Sequence, residues 1–180
     1  MIHNRKRNRL ANYDYSTPGY YFVTICIKGM LEYFGRVQNG KIELNDAGRI
    51  VQKCWFDLPN HYNNCELHAF VVMPNHVHGI IEIVGNGLKP FQNKQTNNVR
   101  NGLKPFPTYG LSEIMRGFKT FSSKYINQKT KYKFTWQKSF YDHIIRTDDE
   151  LIRISDYIDK NPLLWKQDKY SIELEKMADH

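Results

Sequence analysis

The sequence predicts one α+β domain in which helices flank a mostly antiparallel sheet. Two observations lead to this prediction. Apolar segments rich in β-branched and aromatic residues occur in hairpin-like pairs, and segments with helical periodicity are interleaved between them. The chain has 180 residues, which is enough for one substantial core and too few for two large domains.

The predicted strands begin at residues 20–28, where β-branched and aromatic residues follow one another. A hairpin is expected around Gln38-Asn39-Gly40, because Asn-Gly between two strand-like segments favours a tight turn. Residues 66–73 and 76–84 form two further strands, which a second tight turn joins. The last strand is predicted at 134–146.

Helices are predicted at residues 46–58, 111–127 and 148–160 from their apolar periodicity. Asn45 caps the first helix, which is expected to end before Pro59. With the strands, these helices fit the β-α-β-β-α-β core of a ferredoxin-like fold.

The composition of the chain favours a nucleic-acid partner over a membrane. The net charge is +8 and the pI is about 9.3. The 12 Tyr and 10 Phe are interleaved with cations, which suits phosphates and stacked bases. No run of about 18 apolar residues is present, which argues against a membrane-spanning helix. Three scattered cysteines fit neither a disulfide framework nor a zinc site, which indicates a reduced, cytoplasmic protein.

The sharpest chemical feature is the segment Met73-Pro74-Asn75-His76-Val77-His78. Residues i and i+2 of a strand point to the same face, so two imidazoles at this spacing can converge on one cation. Strand alternation predicts Glu82 on the face of these histidines and His68 on the opposite face. The alternative interpretation is a pair of core histidines whose nitrogens are hydrogen-bonded to neighbouring groups.

A second feature is the pair Tyr157 and Asn161 near the end of the last predicted helix. Residues four apart are neighbours on a helix surface, so a hydroxyl and an amide oxygen there form a candidate nucleophile and ligand. The alternative is structural, with Tyr157 completing an amphipathic face and Asn161-Pro162 ending the helix.

Two further groups of residues are weaker candidates. His143 could act as a ligand, a proton shuttle or a phosphate contact, and Arg146 could hold a phosphate through its planar guanidinium. Arg116, Lys119 and Lys124 surround the apolar stripe of the middle helix and are candidate DNA contacts. His143 and Arg146 would also fit a strand edge whose polar groups are hydrogen-bonded. Arg116, Lys119 and Lys124 would also fit a solvated helix face.

Residues 85–109 read as a long, mobile insertion, because they are rich in Asn, Gly, Lys and Gln and have little apolar periodicity. The hexapeptide Asn-Gly-Leu-Lys-Pro-Phe occurs twice in this insertion, at 86–91 and 101–106. Two copies are too few for a repeat architecture. The expected organisation is one domain over residues 1–165, with this insertion, followed by a C-terminal tail at 166–180.

Three segments, in this order, resemble motifs of one known family. They are Pro-Asn-His-Val-His at 74–78, Trp-Gln…Tyr-Asp-His…Arg at 136–146 and Asp-Tyr-Ile-Asp-Lys-Asn-Pro at 156–162. The combination is similar to the REP-associated tyrosine transposases, which are single-tyrosine members of the HUH endonucleases. The resemblance covers about residues 10–165 and is carried by the combination, since no single segment is specific.

The resemblance implies a site and a reaction. His76 and His78 would bind Mg²⁺ or Mn²⁺, Tyr157 would be the nucleophile, and Asn161 would be a third ligand, where relatives often have Gln. His143 matches a recurrent histidine of these proteins. The implied activity is cleavage and joining of single-stranded or hairpin DNA through a 5′-phosphotyrosine intermediate, by a monomer or a homodimer.

Two other classes remain open from the sequence. One is a non-catalytic nucleic-acid-binding module built on a ferredoxin-like sheet. The other is a metal hydrolase in which the histidine pair activates water and no covalent intermediate forms.

Overall fold

The computed structural model describes residue 10 and residues 13–85, 109–131 and 133–165. Its elements, in chain order, are β1 (Gly19–Cys26), β2 (Gly35–Gln38), β3 (Lys41–Leu44), α1 (Asp46–Phe56), α2 (Leu58–His61), β4 (Cys65–Val72), β5 (His76–Ile83), α3 (Leu111–Lys129), β6 (Tyr141–Ile145) and α4 (Asp148–Lys160). The insertion predicted at 85–109 lies outside the described residues except at its two ends, and the tail predicted at 166–180 lies entirely outside them. Among the described helices, none has the length and apolar character needed to cross a bilayer.

Four strands form one antiparallel sheet in the spatial order β4-β5-β1-β6, and β2 pairs with β3 in a separate hairpin. Helix α1 lies between β1 and β4 in the chain, and α3 lies between β5 and β6. This is the β-α-β-β-α-β arrangement of a ferredoxin-like fold. The predicted fold class is therefore confirmed.

The two faces of the sheet are covered by different helices. One face packs against α1 and α3 around the buried Trp55 and Phe118. On the opposite face, Phe22 and Ile80 of the sheet pack with Ile158 of α4 in a smaller apolar cluster. We call this second face the α4 face. Because strand residues alternate between faces, a side chain's place in the register decides which helices it meets.

Gly79 marks a close approach between the sheet and α1. A Cβ atom at this position would overlap Cζ2 of Trp55, whose ring is buried and stacks on Phe70 with centroids 4.4 Å apart. Overpacking a core costs about 1–3 kcal/mol, so we expect Gly79→Ala to lower the free energy of unfolding by that amount in urea titrations. Gly110→Ala is the control, because its Cβ would meet atoms no closer than 3.5 Å. Comparable losses in both variants would contradict this explanation.

The first helical segment ends earlier than predicted. Helix α1 ends at Phe56, and the one-turn helix α2 follows with Pro59 inside it rather than after it. Proline is tolerated there because the N–H that it lacks would have no helical partner in a first turn.

The last strand is also shorter than the predicted segment 134–146. Pairing with β1 extends only over Tyr141–Ile145. Of the described residues just before β6, Trp136 makes an isolated bridge to the residue that follows β1. The Asn127 side chain accepts from the Phe134 amide at 2.6 Å and donates to the Phe134 carbonyl at 3.1 Å. A side chain of α3 thus satisfies backbone groups that a neighbouring strand would otherwise have paired.

The prediction that His68 faces away from the histidine pair was wrong. The register of β4 against β5 shifts between Leu67 and Phe70, as in a β-bulge. His68 therefore contacts residues of the α4 face: its Nε2 lies 2.9 Å from Oε2 of Glu82, and its ring packs on Tyr20 with centroids 5.1 Å apart. One extra residue in a strand places all the earlier side chains of that strand on the opposite face of the sheet. The alternation of residues in the sequence does not reveal such an insertion.

Candidate active site

His76 and His78 lie at the start of β5, immediately after the Pro74-Asn75 turn. Both side chains are buried, with exposed fractions of 0% and 1%. Their Nε2 atoms are 3.0 Å apart. The turn is held in place because its carbonyl groups accept hydrogen bonds from the loop after β1, including that of Ile27 N–H to Asn75 O at 2.9 Å. Backbone bonds therefore fix the two imidazoles toward one point on the α4 face.

The Nδ1 atoms of both histidines have side-chain partners. Asn75 Oδ1 lies 2.7 Å from His76 Nδ1, and Thr24 Oγ1 lies 2.8 Å from His78 Nδ1. Thr24 faces His78 across the β1–β5 ladder. The Phe22 ring stacks on the His78 ring with centroids 5.4 Å apart. Sequence reasoning missed Thr24 and Phe22, whose only signal was their alternation within β1, and it did not assign a role to Asn75.

Tyr157 reaches the histidine pair from α4. Its hydroxyl oxygen lies 3.3 Å from His78 Nε2, and its ring meets the Phe22 ring edge-on with centroids 6.2 Å apart. The Thr147 side chain caps the start of α4, and Ile158 anchors the helix in the apolar cluster of the α4 face. Because 39% of Tyr157 stays exposed, a macromolecular substrate could approach this side chain.

Asn161 and Trp165 lie beyond Tyr157 on the same stretch of chain. Asn161 is the C-cap residue of α4 and is 1% exposed. Trp165 is 8% exposed, and the centroid of its ring lies 6.0 Å from that of the His76 ring. The chain thus turns back toward the histidines after α4. The role of Asn161 as a metal ligand stays a prediction.

His143 and Arg146 are held at the start of α4. His143 Nε2 lies 2.8 Å from Glu150 Oε1, and the Arg146 backbone N–H donates to Glu150 Oε2 at 2.9 Å. These hydrogen bonds hold the pKa of the Glu150 carboxyl below its ordinary value, and the bond from the Arg146 backbone N–H contributes most. Since His143 pairs with Phe22 in the register, it belongs to the α4 face. The observed contact of His143 is with this carboxylate, which ties β6 to the helix of Tyr157.

Arg116, Lys119 and Lys124 lie on α3, whose apolar side packs on the other face of the sheet. The structure therefore does not bring these residues to the histidine pair. Lys119 Nζ donates to the carbonyls of Gln137 and Lys138, and burial lowers the pKa of its ammonium. Arg116 lies 3.5 Å from Glu113 in an exposed ion pair. Lys119 thus has a structural contact that the sequence did not predict.

The donor set at the histidine pair fits a divalent cation. Two Nε2 atoms that converge at 3.0 Å, with both Nδ1 atoms bonded to other groups, match the way proteins orient imidazole ligands. Among the described residues there is no group of three His, Cys, Asp or Glu side chains that could hold a metal. Within this described part of the chain, a further ligand would have to be an oxygen atom of another kind, such as that of an amide, and water or a substrate phosphate could complete the set.

Comparisons with known proteins yield a relative by sequence and similar solved structures. An uncharacterised protein of Haemophilus influenzae Rd is 35% identical over 176 residues, which cover 96% of each chain. The solved structure of a REP-associated tyrosine transposase bound to a REP hairpin aligns with a TM-score of 0.54 and 18% identity, over 86% of this chain and 72% of that one. A candidate transposase of Deinococcus radiodurans R1 aligns with a TM-score of 0.47 and 14% identity, over 84% and 95%. No family model matches the chain.

Proposed function

The chain belongs to the same family as the uncharacterised Haemophilus influenzae protein and has the fold of a REP-associated tyrosine transposase, and from this premise we propose that it cuts and rejoins DNA strands. The proposed activity is that of a metal-dependent transposase: a single-stranded DNA endonuclease and strand transferase with Tyr157 as nucleophile. The proposed substrate is single-stranded or hairpin DNA.

One observation carries this proposal: the Tyr157 hydroxyl lies 3.3 Å from the Nε2 atom of His78, which is itself 3.0 Å from that of His76. A hydroxyl beside two imidazoles that can hold a metal is an arrangement suited to covalent phosphoryl transfer. Since all three side chains come from one chain, a single copy assembles the nucleophile and both histidines.

In the proposed reaction, the Tyr157 oxygen attacks a backbone phosphorus atom. A P–O bond to tyrosine forms, the P–O3′ bond breaks, and the proton of the hydroxyl is transferred to solvent while the departing O3′ gains one. The products are a 5′-phosphotyrosine and a free 3′-OH. A bound Mg²⁺ or Mn²⁺ supplies Lewis-acid polarisation and orientation of the phosphate.

The same side chain also permits rejoining. The tyrosyl phosphodiester conserves the energy of the bond that was cut, so a 3′-OH that attacks it restores a DNA strand and releases Tyr157. No nucleotide hydrolysis is needed for either step. Buried Phe22 and Ile158 hold the tyrosine ring and its helix against the sheet, so that the hydroxyl keeps its distance from the histidines through both steps.

Charge and shape support a DNA substrate. The net charge of +8 favours a polyanion through counterion release. Tyr141 is 46% exposed and also contacts Phe22, so that two accessible tyrosine rings flank the site. Aromatic rings of this kind can stack on the bases of a single strand. The REP hairpin bound to the structural neighbour provides a first substrate to test.

The proposal is tested by incubating the protein with hairpin DNA and Mn²⁺ and separating the products on a denaturing gel. Because the protein would become linked to the 5′ phosphate, a 3′ label should migrate with the protein, while a 5′ label should remain on a shorter, protein-free strand. EDTA should prevent both changes. Cleavage without any protein-linked label would contradict the proposal and favour hydrolysis by water, and binding without cleavage would favour a non-catalytic module.

A further inference from the structure

We propose that Asn75 and Thr24 are positioning residues: Asn75 fixes the proton of neutral His76 on Nδ1, and Thr24 allows the proton of His78 to lie on Nδ1 as well, so that both Nε2 lone pairs can face one cation. This inference rests on the proposed function, because it deepens the account of the same site.

Asn75 allows His76 only one neutral tautomer. The Asn75 side chain is fully buried, and its Nδ2 donates to the Met30 carbonyl at 3.2 Å. That bond places Oδ1 toward His76 Nδ1, at 2.7 Å. An amide oxygen can only accept, so Nδ1 of His76 must carry the proton. In neutral His76 the lone pair therefore lies on Nε2, ready for a ligand bond.

Thr24 allows His78 either of its two neutral tautomers. Thr24 is 3% exposed and its hydroxyl lies 2.8 Å from His78 Nδ1, and a hydroxyl can donate or accept. When Thr24 donates, His78 carries its proton on Nε2 and can donate to His76 Nε2 at 3.0 Å. When Thr24 accepts, the proton lies on His78 Nδ1, and both Nε2 lone pairs face the same point.

The two residues therefore have different tasks. Asn75 presets His76 as a ligand, whereas Thr24 lets His78 exchange a hydrogen bond for a ligand bond without leaving a buried nitrogen unsatisfied. Outer partners of metal-bound histidines typically contribute 10–100-fold to metal affinity. We expect losses in that range when either partner is removed.

Mn²⁺ titrations followed by electron paramagnetic resonance test this expectation without any need for DNA cleavage. Asn75→Ala and Thr24→Val should each raise the Kd for Mn²⁺ by about 10–100-fold. Thr24→Ser keeps the hydroxyl and should recover most of the affinity that Thr24→Val loses. Thermal unfolding of the metal-free variants shows how much of each effect is a general loss of stability.

Nitrogen chemical shifts of the imidazoles in the metal-free protein provide a readout that a merely structural role would not move. The wild-type spectrum should show His76 protonated at Nδ1, and Asn75→Ala should shift His76 toward protonation at Nε2. A wild-type His76 protonated at Nε2 would overturn the inference, even if a variant failed to fold.

The outcomes separate this inference from the proposed function. If the wild-type protein binds Mn²⁺ and both variants bind it equally well, the positioning role is wrong and the proposed function stands. If the wild-type protein binds no Mn²⁺, the metal-dependent function fails, and this inference fails with it.

Discussion

Tyr157→Phe is expected to abolish the covalent protein–DNA adduct, lowering its rate of formation by at least about 10³-fold, because the variant lacks the attacking oxygen. The fold should be unaffected. Phenylalanine keeps the ring that packs on Phe22 and His78, and a change at a position that is 39% exposed shifts stability by about 0.5 kcal/mol or less. The measurement is the time course of protein-linked, 3′-labelled hairpin DNA in Mn²⁺.

Tyr141→Phe is the matched control for this variant. Tyr141 is 46% exposed and meets the same Phe22 ring with centroids 6.3 Å apart. Removing its hydroxyl should weaken DNA binding at most modestly and leave the adduct intact. If Tyr157→Phe still formed the adduct while Tyr141→Phe did not, the nucleophile would have been assigned to the wrong tyrosine.

The second large effect is expected at the histidine pair. Saturating the wild-type protein with Mn²⁺ at about 100 times its Kd should stabilise the fold by about 2.7 kcal/mol, which corresponds to a rise in Tm of roughly 5–10 °C. His76→Ala and His78→Ala should each lose this rise and should slow adduct formation by more than about 100-fold, because one of the two imidazole donors is missing. Thermal unfolding with and without Mn²⁺ measures the first effect directly.

His68→Ala provides the control for the histidine variants. His68 lies on the same face of the sheet, but its Nε2 is bonded to Glu82 at 2.9 Å, away from the histidine pair. This variant should keep the full response to Mn²⁺. A rise in Tm that persisted in His76→Ala and His78→Ala but vanished in His68→Ala would move the cation site to the His68–Glu82 pair.

Local signals were sufficient to predict most of the fold. The Asn45 cap, the Asn39-Gly40 turn and the apolar periodicity of α3 and α4 act over a few residues, and each element formed where its signal lies. Two errors arose where tertiary contacts decide. The bulge after Leu67 and the bonds from Asn127 to the segment before β6 depend on neighbours that are distant in sequence.

The same distinction applies to the site. The i, i+2 spacing alone predicted that His76 and His78 share a face, because strand alternation is a local property. Tyr157 is 79 residues away from His78 in the chain, and only the family resemblance connected it with the pair. Packing of Ile158 against Phe22 brings that helix to the sheet, and such a contact cannot be read from periodicity.

Contacts from outside a motif were the least predictable part. Thr24 belongs to β1, 54 residues before His78, and its hydrogen bond depends on the register of two strands. The Lys119 ammonium, a candidate DNA contact from the sequence, instead donates to two backbone carbonyls. A cationic side chain on a helix carries no sign of which acceptor the folded chain will place beside it.

The central claim is that the hydroxyl of Tyr157 attacks DNA beside a cation held by His76 and His78, and peptide mapping of the adduct tests it most directly. Protein treated with hairpin DNA and Mn²⁺ is digested with nuclease and protease, and tandem mass spectrometry locates the residual nucleotide. We expect a nucleotide joined through its 5′ phosphate to the oxygen of Tyr157, on the peptide that contains this residue. This modification should be absent when EDTA replaces Mn²⁺. A nucleotide linked to any other residue, or one that becomes linked equally well in EDTA, would contradict the claim.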